Sequence, residues 1–369
     1  METILTQFDT LYAASPVALT AVGLIILYGV VSVLLLSYLL FNRGRLRHQE
    51  WRDQRLIATY EDQLFEILIG EQKRTDPRAY HFAVDRLRFA FAGSAVQALQ
   101  REMVLLGRDL SGENLALLHE LYQDLRMDQR AMYQLRYGTW HQKITAVKEL
   151  GHFRVTHALP YLTDLSEDAH ATLRGEAQCT LLRLGGVTYL NFLATVAQPL
   201  TRWQQIRLMN VLKRFPQDQL PNFQIYLSNP NESVTLFVLE LIRVYNQTQE
   251  REAVIEKLFD ERVSVQREAV RTVSGWLDQE TVSLLLAMCD KGALPLHRSV
   301  VRALRQWTYD ASTQTFLEDV AEHTEDYTLR MDALCSLKQL GGHQAIGALI
   351  NTPDEAVQRC VVHQLDERI

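Results

Sequence analysis

Cysteine is scarce in this chain: Cys179, Cys289, Cys335 and Cys360 are the four in 369 residues, and none is closely paired. That excludes a disulfide-stapled miniprotein and a zinc-finger ligand set. An excess of positive charge is missing too. The net charge is −6, where a generic nucleic-acid binder is basic. Neither a phosphate-cradling P-loop nor G-x-G-x-x-G occurs, and no G-x-S-x-G elbow is present. His119-Glu120 lacks the second histidine of a zinc-protease helix, and the other histidines are scattered. Hence no catalytic, cofactor-binding or metal-ligating residue is assigned, no cofactor is expected, and the chain is expected not to be an enzyme. Apolar residues are plentiful at 47%, which excludes disorder as a whole-chain state.

Charge is absent altogether between Asp9 and Arg43. Within that gap Val17 to Phe41 is a predominantly apolar run of 25 residues without a charge. As a helix it would span about 37 Å, against a hydrocarbon core of about 30 Å, so it is expected to cross a bilayer. A buried core helix would carry a polar stripe over such a length. A cleaved signal peptide would need a basic start and a small-residue cleavage site; Glu2 and Asp9 precede the run, and Ser37-Tyr38-Leu39-Leu40-Phe41 offers no such site. Arg43, Arg45, Arg47, Arg52 and Arg55 crowd the C-terminal flank. Basic flanks stay on the cytoplasmic side. The expected topology is therefore single-pass in the inner or plasma membrane: a short extracytoplasmic tail (1–16), an anchor (17–41), and everything later in the cytoplasm. There the thiols stay reduced, and the sequons at Asn231 and Asn246 are chance matches. Residues 42–60 carry a net +3, leaving −7 for 61–369. The arginine collar is expected to set topology or to touch anionic headgroups.

After residue 140 the sequence repeats. Anchor positions fall at Ala146, Ala177, Leu208, Val238, Ala269, Val300, Ala333 and Val361. They are almost evenly spaced, at a period in the range of helical-repeat units. Four residues after each come Leu150, Leu181, Leu212, Ile242, Val273, Leu304, Leu337 and Leu365; seven after come Phe153, Leu184, Phe215, Tyr245, Trp276, Trp307 and Leu340. Such a stripe is one face of an α-helix. A second apolar helix is expected after each stripe, as at Leu159/Leu162/Leu165 and Val282/Leu285/Leu286, with breakers such as Gly151, Gly185-Gly186, Pro216 and Gly341-Gly342 between. Each unit is then a hairpin unable to bury its own stripe, and stacking buries it collectively. The fold class is all-α: an N-terminal transmembrane helix, then an α-solenoid of about seven short hairpins plus a C-terminal half-unit, in which Asp366-Glu367-Arg368 form the polar end.

Leu173-Arg174-x-x-Ala177 with Leu181 and Leu184-Gly185, and Leu329-Arg330-x-x-Ala333 with Leu337 and Leu340-Gly341, resemble the HEAT family, of the compact bacterial kind. Other units depart three residues before the anchor, where Lys143, Gln205, Thr235, Gln266, His297 and Gln358 stand. The resemblance covers residues 140–369. Anchor, irregular helices and compact units together look like membrane-tethered HEAT proteins of bacteria, with Trp203-Gln204-Gln205 among the matching residues. What this resemblance implies is a protein partner, a membrane enzyme such as a glycosyltransferase of cell-surface polysaccharide synthesis.

Residues 42–139 form a juxtamembrane helical region: a charged helix to about Ile69, a start at Asp76-Pro77, a degenerate unit around Ala83, Leu87 and Ala90, and a helix from Ser111 to about Arg136. Trp140 and Trp203 stand outside the stripe, each just before a first helix, and are the candidate interface anchors; packing between units is the alternative. The expected function is a non-enzymatic, membrane-tethered scaffold. Alternatives are an enzyme or accessory factor like the HEAT-type bilin lyases, and nucleic-acid binding, which the acidic body opposes.

Overall fold

The computed structural model describes residues 16–69, 76–289, 294–308 and 310–365. Residues 1–15 of the proposed tail, and Asp366-Glu367-Arg368, lie outside the described residues. Among the described residues all regular structure is helical: α1 Pro16–Ile69, α2 Pro77–Ala90, α3 Val96–Asp109, α4 Gly112–Asp124, α5 Met127–Tyr137, α6 Trp140–His152, α7 Leu159–Leu165, α8 Ala171–Gly185, α9 Phe192–Thr195, α10 Arg202–Leu212, α11 Glu232–Val244, α12 Arg251–Glu256, α13 Val263–Val273, α14 Gln279–Cys289, α15 Leu294–Ala303, α16 Ala311–His323, α17 Tyr327–Gly347, which is broken at Gly342 (φ 66), and α18 Glu355–Leu365. By packing the chain divides into two units, Met1–Arg130 and Ala131–Ile369.

In the first unit, α1 runs unbroken for 54 residues, so the apolar run and the charged helix after it are one element. It contains the one stretch, among the described residues, that is long and apolar enough to cross a membrane. Asp76 opens α2 as expected: its carboxylate accepts from the amides of Arg78 and Ala79, each at 3.1 Å, and Pro77 follows where no amide is needed. The helix expected from Ser111 to Arg136 is instead two, α4 and α5. Arg126 takes φ 57 between them, a left-handed conformation that ends a helix. Leu118, Leu121, Tyr122 and Leu125 are buried just before it. Leu118 stands to Arg126 as Ala146 stands to Arg154 (φ 52) and Val238 to Asn246 (φ 50). It is a further anchor, one slightly shortened repeat before Ala146, that the spacing alone does not reveal.

In the second unit the eight anchors lie on α6, α8, α10, α11, α13, α15, α17 and α18, and every one has 0% of its surface exposed. Seven of the eight residues at the fourth position after them are buried; Leu365 is half-buried. The seventh position lies at the edge of the core. Phe153 is buried, but Trp276 and Trp307 are only half-buried, and their indole N–H groups reach Asn246 Oδ1 (2.7 Å) and Asp310 Oδ2 (2.8 Å). An aromatic with a polar handle suits such a boundary.

The second helices are weaker than expected. After α8 there is a short 3-10 segment, Val187–Asn191, before the four residues of α9. After α10 there is no second α-helix among the described residues, only the 3-10 turns Gln217–Gln219 and Phe223–Tyr226. Pro216 and Pro221 each lack an amide there, and proline blocks helix at the residue before it. Gly151 is not a breaker. It lies inside α6, where an added Cβ would sit 2.7 Å from Thr180 Cγ2 of α8; its missing side chain permits close approach of two helices. The turn falls instead at Arg154.

Polar groups stitch one unit to the next. Thr272 Oγ1 donates to the Leu239 carbonyl at 3.2 Å, and Ser336 Oγ to the Val301 carbonyl at 2.9 Å. Asn231 caps α11 by accepting from the Ser233 amide (3.1 Å), while its Nδ2 donates to the carbonyls of Ala197 and Gln198. In the row three before the anchor, six of the eight residues share one pattern. Arg174 donates to the Asp168 carbonyl (2.6 Å), Gln205 to Leu200, Thr235 to Asn229, His297 to Cys289, Arg330 to Thr324 (2.6 Å) and Gln358 to Thr352 (2.8 Å). These six side chains differ chemically, yet each donates to a carbonyl five to eight residues upstream.

Two carboxylates in this stitching predict acid sensitivity. The Arg262 side chain draws the Asp260 pKa down to about 2; the Thr328 hydroxyl, the Leu329 amide and Arg298 do the same for Asp326. A carboxylate more acidic in the folded chain than its ordinary value of about 3.9 stabilises the fold above that value. The contribution is lost as pH falls through about 4 toward about 2. The urea midpoint is therefore expected to fall from about pH 5 to about pH 2, and less so in Asp260→Asn; identical acid profiles for the two proteins would contradict this.

Candidate protein-binding surface

The face of α13 opposite Val265, Ala269, Val270 and Val273 carries Ser264, Arg267, Glu268 and Arg271, with Ser274 just after its end. Helical spacing puts these residues on one side because the apolar ones claim the other. Together with Leu236 of α11 and Ser299, Arg302, Ala303 and Gln306 around α15, they line a groove of about 600 Å³. Three consecutive units therefore contribute to one surface.

Three arginines and one carboxylate line it. Arg271 is largely exposed and approaches Glu268 only at 3.8 Å; Arg243 approaches the same carboxylate at 3.7 Å. Burial raises the pKa of Glu268, so this one acid in the groove is held less firmly ionised than an exposed glutamate. Arg302 pairs with Asp332 at 2.9 Å, and Asp332 is shared with Arg305 at 2.8 Å. Arg267 is exposed and makes no ion pair among the described residues. Three guanidiniums flanked by the hydroxyls of Ser264, Ser274 and Ser299 make a surface suited to carboxylates, which arginine grips in bidentate fashion. It sits in a body whose mean charge is negative.

The five collar arginines, Arg43, Arg45, Arg47, Arg52 and Arg55, are exposed along α1. Arg55 lies 3.7 Å over the ring of Trp51, which also stacks with His48. Trp203 is 68% exposed on α10, beside Ile206 one turn on. Trp140 is 42% exposed and stacks on His170, the N-cap of α8, at 4.1 Å. It thus packs between units. Within the repeat unit the tryptophans stand on α6 and α10, outside the groove lined from α11, α13 and α15. No cluster of three or more metal-ligating side chains is found among the described residues. Cys179, Cys289 and Cys360 are buried, and burial pushes the Cys179 thiol up to about 11, leaving it protonated and a poor nucleophile.

No protein-family model matches the chain, and no curated protein matches it. Among solved structures, an engineered protein is 15% identical, with 82% of this chain and 98% of that one covered, at a TM-score of 0.38. The complex of CpcE and CpcF of phycocyanin lyase from Nostoc sp. PCC7120 is 18% identical, covering 64% and 94%, at 0.29. A designed armadillo repeat protein is 15% identical, covering 71% and 96%, at 0.23. The assignment of an all-helical repeat rests on the buried anchors themselves.

Proposed function

We propose that this protein is a non-catalytic scaffold, tethered to a membrane by α1, whose repeat unit receives an acidic stretch of a protein partner. The observation that carries the proposal is the arginine-lined groove assembled from α11, α13 and α15. A groove shared by consecutive repeats is the usual way such stacks make an extended binding surface. The length and hydropathy of α1 support the tether. The collar of five arginines favours the orientation with the N-terminus outside and the repeats in the cytoplasm. The resemblance to membrane-tethered HEAT proteins adds the expectation that the partner is itself a membrane enzyme, a glycosyltransferase of cell-surface polysaccharide synthesis.

Charge reversal in the groove tests this. The double variant Arg267→Glu/Arg271→Glu removes two exposed side chains with little structural role. Partner recovered by detergent co-purification is expected to fall about tenfold or more, and the residual binding to lose its salt dependence. Undiminished capture of the same partner by a folded double variant would sink the proposal.

A further inference from the structure

The repeats around the groove hold one device twice. Glu268 and Asp332 each stand just before an anchor, Ala269 and Ala333. Each carries two arginines, one on either oxygen: Arg243 and Arg271 on Glu268, Arg305 and Arg302 on Asp332. Arg243 and Arg305 come from equivalent places in the preceding unit, and both side chains are 28% exposed. Arg271 and Arg302 occupy equivalent places two residues after an anchor, and theirs are 67% and 57% exposed. Because each acid keeps its half-buried arginine, the exposed one can turn to an outside carboxylate without leaving a partly buried acid unpaired. The row ends at this pair: the same place holds Glu240 in the unit before and Cys335 in the unit after. Two carboxylates, not a longer ladder, are what it can select.

Their spacing follows from the stack. Thr272 reaches the Leu239 carbonyl and Ser336 the Val301 carbonyl, the same two places in two different steps, so first helices run parallel in one register. Neighbouring helix axes lie about 8–10 Å apart, which sets the separation of Arg271 and Arg302. A polyproline II segment returns to the same side every third residue, about 9 Å on. A β-strand does so after about 7 Å, which is too short. An α-helix does so after two turns, about 11 Å, but it is too thick: about 10 Å of a rod 10–12 Å across fills about 800–1,100 Å³. The groove offers about 600 Å³. Resting on the reading of the groove as a site for an acidic stretch, we infer that the partner segment lies along the stack as polyproline II. Its carboxylates at i and i+3 are gripped by Arg271 and Arg302. Such a segment is already extended and stiff, so little order is lost on docking.

The test titrates labelled peptides of about twelve residues, proline-rich and each with two glutamates, against the full chain in detergent at low salt. Glu-Pro-Pro-Glu is expected to bind about threefold or more tighter than isomers of the same composition with one or four residues between the glutamates. Arg271→Gln and Arg302→Gln, both at exposed side chains, are each expected to erase that preference. Equal binding of the isomers, or tighter binding of a helical peptide with its glutamates two turns apart, would overturn the inference and leave the acid-receiving groove standing. Acidic peptides that bind no better than Gln-Pro-Pro-Gln would overturn both.

Discussion

Phe237→Ala is expected to destabilise the repeat unit by about 3–5 kcal/mol, the cost of a large buried aromatic and the cavity left behind it. Phe237 is 1% exposed on α11, beside the anchor Val238. In a stack each unit is held by its neighbours alone. The loss should therefore appear as early melting of the central units, with the terminal ones following. Hydrogen exchange of the full chain in detergent resolves this: amides of α10, α11 and α13 exchange first. Phe259 is the internal reference. It is 61% exposed, and Phe259→Ala is expected to change stability by no more than about 0.5 kcal/mol. Equal effects of the two substitutions would mean that α11 does not bury its inner face in the core.

The second large effect concerns the tether. Leu27 and Leu34 are exposed two turns apart on one face of α1, in the middle of the apolar run. An arginine at the centre of a spanning helix costs about 2.5–3.5 kcal/mol on insertion scales, so Leu27→Arg/Leu34→Arg carries roughly twice that. The double variant is expected to leave the carbonate-resistant membrane fraction, while Leu27→Ala/Leu34→Ala stays in it. A double arginine protein that remained integral would show that α1 does not cross the bilayer.

Much of the repeat was legible because burial acts on a period. Eight anchors at nearly constant spacing can only be explained by helices returning to one core, and all eight are fully buried. The departures from the HEAT pattern three residues before the anchor were legible as departures but not as equivalents. Six of the eight positions hold a donor for an upstream carbonyl, and Arg, Gln, Thr and His can all supply one. Second helices were overestimated, since two or three leucines at helical spacing are also compatible with 3-10 turns, and Pro216 and Pro221 decide for turns after α10. Gly151 was misjudged for a related reason: a glycine that ends a helix and one that lets another helix approach look alike in sequence, and only Thr180 separates them. Leu118 escaped because its unit is shorter than the common period and ends on Arg126, in a conformation that sequence assigns to glycine. The groove was not legible at all. Arg267, Arg271 and Arg302 lie on outward faces, where neither period nor packing constrains identity, and the net charge of −7 for residues 61–369 hides these local arginines.

Protease treatment of sealed membrane vesicles in both orientations tests the central claim, a helical-repeat body pinned on the arginine side of a membrane by one N-terminal helix. The repeats should be cut where the cytoplasmic face is outermost and protected where it is enclosed. Protection and cutting in the reverse pattern, or release of the whole chain by carbonate, would contradict it.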